Sequence, residues 1–84
     1  MRMTSRTMLE EVLAPGALRI EFQPIVHVNG GIELYALEAL TRGPRETSME
    51  RPDVLFEYAR RKGEETRLDL ACIAEALSSA AKLP

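Results

Sequence analysis

Two long extended patterns joined by a glycine turn constrain this chain more than anything else in it. Over Leu18 to Val28, the residues Leu18, Ile20, Phe22, Pro24, Val26 and Val28 alternate with Arg19, Glu21, Gln23, Ile25 and His27. That is the period of two a strand produces. Asn29-Gly30-Gly31 follows at once, and Asn-Gly supplies the positive backbone angles of a tight hairpin turn. Ile32 to Arg42 resumes the extended pattern with fewer polar alternations, which predicts an antiparallel neighbour buried more deeply than the first strand. Gly43 and Pro44 end it. Pro24 cannot donate a ladder hydrogen bond, so the first strand is expected at an edge or with a break there.

A two-stranded hairpin is not stable alone in water, so the rest of the chain has to cover it. Thr4 to Leu13 places Met8, Leu9, Val12 and Leu13 at helical spacing, with Thr4 or Ser5 as cap and Ala14-Pro15-Gly16 as stop. After the polar loop Arg45 to Arg51, Pro52 and Asp53 suit the first turn of a second helix. Val54, Leu55, Tyr58 and Ala59 form its apolar stripe, and Gly63 stops it. A third helix is predicted from Thr66, which would cap it together with Asp69. Leu70, Ile73, Ala74, Leu77 and Ala81 would be its inward stripe. Phe22 and Tyr35 read as core, Cys72 as a small buried apolar group, His27 as a surface residue, and Glu64 and Glu65 as an exposed helix approach. The order is helix, strand, strand, helix, helix, an α/β arrangement without internal repeats.

Composition narrows the function through what it excludes. The 84 residues carry 13 acidic and 11 basic side chains, a net charge of −2, and lack the concentrated basic face that nucleic-acid binding needs. The longest basic cluster, Arg60, Arg61 and Lys62, is followed closely by Glu64 and Glu65 and reads as a solvated helix end, so no DNA or RNA partner is expected. One cysteine gives no disulfide staple, and a chain this short buries only about 60% of the surface it exposes when unfolded. No stretch approaches the roughly 20 apolar residues of a membrane span, and Met1 to Leu9 lacks a signal-peptide core. A cytoplasmic location without membrane contact is the expectation.

Alternate residues of a strand share a side, so Glu38, Leu40 and Arg42 fall on one face, and Tyr35, Leu37, Ala39 and Thr41 on the other. If Asn29 and Gly30 are the two loop residues, Val28 faces Gly31 and Gln23 lies opposite Ala36, diagonal to Glu38. An amide, a carboxylate and a guanidinium then share one patch. Two readings are open on spacing alone. Glu38 and Arg42 pair structurally beside an exposed Gln23, or Glu38 holds a divalent cation while Arg42 grips a phosphate bidentately.

Gln23-Pro24-Ile25-Val26, followed after the hairpin by Glu38-Ala39-Leu40-Thr41-Arg42, resembles the opening of the EAL domain, the family containing the phosphodiesterases that cut bacterial cyclic di-GMP. The likeness continues through Gly43-Pro44, Pro52 with Leu55-Phe56 and Ala59, then Leu68-Asp69 with Cys72 and Ala76-Leu77. Glu-Ala-Leu alone is a common accident; the Gln-Pro-Ile-Val strand at the right distance before it makes the match specific. Residues 1–17 would be an N-terminal helix and connector, and 18–84 the N-terminal third of a TIM-like EAL barrel, a fold of about 250 residues.

The resemblance implies a role for each matched position. Glu38 would ligate a catalytic Mg2+ or Mn2+, Arg42 would contact a phosphate, Leu40 would pack against the nucleotide, and Gln23 would hydrogen-bond it. In the complete domain a metal-activated water opens cyclic di-GMP to the linear dinucleotide. Thr41 departs from the family's usual aliphatic residue but faces away from that site. The family's further ligands, an asparagine, a paired-aspartate motif, a lysine and another glutamate, belong to later strands. The 84 residues alone are therefore expected to be inactive and to self-associate through exposed barrel-facing surface. The rival readings are a degenerate EAL domain that senses cyclic di-GMP, from which Glu38 argues mildly away, and a small protein-interaction scaffold without nucleotide binding.

Overall fold

A computed structural model describes residues Met8–Pro84, so the Thr4 and Ser5 caps lie outside the described residues. The order is α1 (Met8–Val12), β1 (Arg19–Val28), β2 (Ile32–Arg42), α2 (Pro52–Arg61) and α3 (Glu65–Ala80). The described residues are mixed α/β, with one antiparallel hairpin and three helices. It is elongated, 66 × 25 × 24 Å, because the hairpin projects from a helical base.

The core sits in that base. Val12, Leu18, Met49, Leu55, Ala59, Leu68 and Cys72 cluster there, with Leu55, Leu68 and Val12 fully enclosed. Burying each large aliphatic side chain stabilises by roughly 1.5–3 kcal/mol, which makes this cluster the main source of cohesion. Met49 comes from the stretch read as a polar surface loop. That loop folds back under the hairpin: Thr47 Oγ1 donates to the Pro44 carbonyl at 2.7 Å, and the Gly43 amide donates to the Glu50 carbonyl at 3.0 Å.

Gly43 is where strand and loop meet most closely. A Cβ there would overlap the Met49 carbonyl oxygen, a backbone atom that cannot swing aside. At the other punctuation point, α2 ends in a Schellman turn. The Gly63 amide donates to the Arg60 carbonyl and the Glu64 amide to the Ala59 carbonyl, with Gly63 at φ 68°.

Four expectations change. The turn takes three residues, Asn29 to Gly31, so Val28 pairs with Ile32 rather than Gly31. A bulge then inserts Tyr35, the register slips between Ile25 and Val26, and Gln23 lands directly opposite Glu38 instead of Ala36. The slip falls two residues from Pro24, where the missing ladder donor foretold a break. Second, neither strand is deeply buried: no residue of β1 or β2 is fully enclosed, and from Ile32 to Tyr35 every residue is exposed, Tyr35 included, because the helices reach only the foot of the hairpin.

Third, α3 starts at Glu65, with Glu64 in the cap position, so Thr66 and Asp69 lie inside the first turns and no side chain caps the helix. The Schellman turn leads straight into α3 and leaves no residue over for a separate cap. Fourth, the α3 stripe predicted to face inward, Leu70, Ile73 and Leu77, faces solvent. At 3.6 residues per turn it lies opposite Leu68 and Cys72. The short Gly63 connection holds the first turn of α3 against Ala59, which selects the Leu68 side.

Cys72 lies against Thr41 at the foot of β2. Burial pushes its thiol pKa up, the Asp69 charge adds to that, and a hydrogen bond with the Thr41 side chain pulls the other way. The unfolded chain therefore releases this proton first. Stability is expected to fall as pH rises through the ordinary thiol range near ~8.5, and Cys72→Ala should flatten that limb in urea titrations repeated across pH. Gly43→Ala is expected to cost about 1–3 kcal/mol in the same assay through overpacking. An unchanged midpoint would mean that loop 44–50 yields freely.

Candidate functional site

Once the bulge has set the register, one face of the hairpin collects Arg19, Glu21, Gln23 and Ile25 from β1 and Ala36, Glu38, Leu40 and Arg42 from β2. Gln23 pairs with Glu38, Glu21 with Leu40 and Arg19 with Arg42. The four residues singled out in the sequence, Gln23, Glu38, Leu40 and Arg42, thus lie on a single face, within three alternate cross-strand pairs of the ladder. Directly opposed side chains have Cβ atoms about 4.5–5.5 Å apart, so one small ligand group can touch Gln23 and Glu38 together.

The chemistry of the patch is graded along the strand. Gln23 and Glu38 are exposed, while Leu40 and Arg42 are half-buried nearer the base. Glu38 has no hydrogen bond or ion pair with any described residue, so its two oxygens are free to ligate. The structural alternative, a Glu38–Arg42 pair, is not formed. Arg42 instead donates through Nε to Glu21 Oε1 at 2.9 Å, which leaves both of its terminal nitrogens without a partner among the described residues.

Sequence reasoning assigned no part in the site to Arg19, Glu21 or Glu50. Arg19 Nη2 donates to Glu50 Oε2 at 2.7 Å and to the Gly43 carbonyl at 3.2 Å, and Arg19 Nη1 lies 3.9 Å from Glu21. Its Nε is enclosed without an acceptor among the described residues. The two opposed arginines of the last pair are therefore kept apart by two carboxylates, Glu50 on Arg19 and Glu21 on Arg42. The alternation alone put Arg19, Glu21 and Gln23 on one face; the register that decides their partners required the bulge.

No described group of three His, Cys, Asp or Glu side chains converges to hold a metal ion. Glu38 fits a hard divalent cation as one oxygen ligand, and Gln23 opposite offers a second, neutral oxygen; such ions take six or more oxygens, water included. His27 stands near the turn on the same side as Tyr35, their rings stacked at 5.5 Å, and it touches none of these groups. A shallow groove of about 440 Å3 runs along α2, lined by Met49, Asp53, Val54, Glu57, Tyr58 and Arg61. There hydrogen bonds from Arg60 and Arg61 hold the Glu57 carboxyl below the usual carboxylate range, so its charge is already answered. Among the described residues no helix is long and apolar enough to cross a membrane.

No family model, no curated protein and no solved structure matches the chain.

The Glu21–Arg42 pair is half open to water, and such pairs contribute little to stability. Glu21→Gln is expected to shift the unfolding free energy by less than about 1 kcal/mol, while the Arg42 Nε–H signal in an NMR spectrum moves and exchanges faster with solvent. A large loss of stability would instead make Glu21 part of the structural base.

Proposed function

We propose that this hairpin supplies the opening strands of a cyclic di-GMP phosphodiesterase site of the EAL type, in which the cyclic dinucleotide is hydrolysed to its linear form. The observation that carries the reading is the direct Gln23–Glu38 cross-strand pair, with Leu40 and Arg42 following on the same face. A sequence motif read as four ligand contacts is of use only if its side chains share a side, and these do.

Each residue has a task that its surroundings support. Glu38, exposed and unpaired, would hold Mg2+ or Mn2+ through a carboxylate oxygen. When bound, the metal supplies a Lewis acid and a water acidic enough to act as nucleophile at neutral pH. Gln23 would donate its amide to the ligand and fix its position. Leu40, half-buried, would offer an apolar seat for a purine face. Arg42 has its terminal nitrogens turned free by the Nε bond to Glu21, the fork that recognises a phosphate oxygen pair. One carboxylate and one arginine do not complete a phosphodiester-cleaving centre, so the remaining ligands would come from other strands and the 84 residues alone bind without turning over.

The test is a titration of the 84-residue chain with cyclic di-GMP in the presence of Mn2+, followed by NMR. Expected are shifts at Gln23, Leu40 and Arg42, loss of binding in Arg42→Ala, and Mn2+-induced broadening centred on Glu38 that Glu38→Ala removes. No linear product should form. Absence of all binding at millimolar nucleotide sinks the reading and leaves the scaffold alternative; binding with unaltered Mn2+ response in Glu38→Ala favours a nucleotide sensor.

A further inference from the structure

At the foot of the polar face, where β2 ends, the two opposed arginines of the Arg19–Arg42 pair are not equivalent. Arg19 is spent on structure: its Nη2 donates to Glu50 and to the Gly43 carbonyl, and its Nε is enclosed. Arg42 gives only its Nε, to Glu21, so its terminal nitrogens are the donors left open at this corner among the described residues. Glu21 is held from both sides, with Oε1 on Arg42 Nε at 2.9 Å and Oε2 facing Arg19 Nη1 at 3.9 Å. Its carboxylate is half open to water, yet swinging away from Arg42 would take it from two guanidiniums at once.

A phosphate on the Arg42 fork therefore has a fixed negative charge as its neighbour. A guanidinium alone attracts a doubly charged phosphate more than a singly charged one. Two anions on adjacent edges of one guanidinium lie within a Debye length of each other, so Glu21 offsets that advantage by about threefold for the added charge. The other charged groups of the face do not reverse the sign. Glu50 answers Arg19 and Glu38 adds a further carboxylate, while Glu33 and His27 stand at the far end beside the turn. Asp69 of α3 acts on Cys72, against the opposite face at Thr41.

We propose that Glu21 is a specificity-determining residue, which tunes the Arg42 seat toward the singly charged phosphodiester and against the doubly charged terminal phosphomonoester. The inference rests on the reading of Arg42 as a phosphate contact and adds to it the charge state that the contact selects. Hydrolysis of a cyclic dinucleotide bonds the water oxygen to phosphorus, breaks one P–O bond to a sugar, which leaves as the hydroxyl, and turns that diester into a terminal phosphomonoester. The second proton of such a group leaves near pH ~6, so at neutral pH the product carries one negative charge more than the substrate. A seat biased toward the monoanion holds the product less firmly than a bare arginine does. The carboxylate that orients the fork thus also keeps the product of the reaction from blocking it.

NMR titrations of the 84-residue chain with cyclic di-GMP and with its linear product test this, in low salt, with a chelator so that no metal adds charge, and on either side of the phosphate transition, at about pH 5.5 and about pH 8. Glu21→Gln keeps an oxygen to accept from Arg42 Nε and removes only the charge. It is expected to gain affinity for the linear ligand at least about threefold more at the higher pH than at the lower, while its gain for the cyclic ligand is the same at both. Glu33→Gln, which removes an equal charge from an exposed position at the far end of the hairpin, should show neither gain. A gain in Glu21→Gln that is independent of pH and ligand overturns the proposal and leaves the phosphate reading standing, with Glu21 only orienting Arg42. The same pH-dependent gain in Glu33→Gln also overturns it, since the selection would then belong to the whole face. No binding of either ligand to wild type or variant at millimolar concentration overturns the nucleotide reading and this inference with it.

Discussion

Everything this molecule can do depends on the register of one strand pair. A three-residue turn and a single inserted residue, Tyr35, fix which side chains of β1 and β2 share a side. Because side chains alternate with a period of two, a slip of one residue would exchange the faces of one strand wholesale. Arg42 would then leave Glu21, Glu38 would leave Gln23, and charges would enter the surface that now holds only Val, Ile, Leu, Phe, Pro, Ala and Thr. The polar patch and the apolar ledge are two results of one geometric decision, made partway along the hairpin next to a proline that cannot keep the ladder regular.

A register is only as good as the platform that holds its ends. Here the open ends of the strands are pinned to the base by polar contacts around a close approach. Arg19 reaches across to Glu50 and the Gly43 carbonyl, and the Gly43 amide is tied to Glu50. This clamp carries the hydrogen-bonded ladder into the Met49 loop and so into the Leu55–Leu68 cluster. The site residues divide accordingly: Arg42 and Leu40 stand on the pinned part, while Glu38 and Gln23 stand where the sheet is free of the helices. In the proposed reading, phosphate recognition, which needs an oriented fork, would fall on the firmer end, and a cation ligand, which can adjust, on the looser one.

The sequence carried the elements and the face of the site but not the register. Alternation was enough to place Glu38, Leu40 and Arg42 together, since it is a property of one strand. Relating them to Gln23 required the number of residues in the turn and the presence of a bulge. Asn29-Gly30-Gly31 is compatible with two-residue and three-residue loops alike, and nothing in Tyr35 itself marks it as the inserted residue. Helix α3 failed for a different reason: it has apolar residues on two opposite sides. Periodicity finds a stripe, whereas the choice between Leu68-Cys72 and Leu70-Ile73-Leu77 is made by the short connection through Gly63. The core at Met49 was hidden because a lone methionine in a polar stretch has no periodicity to reveal it.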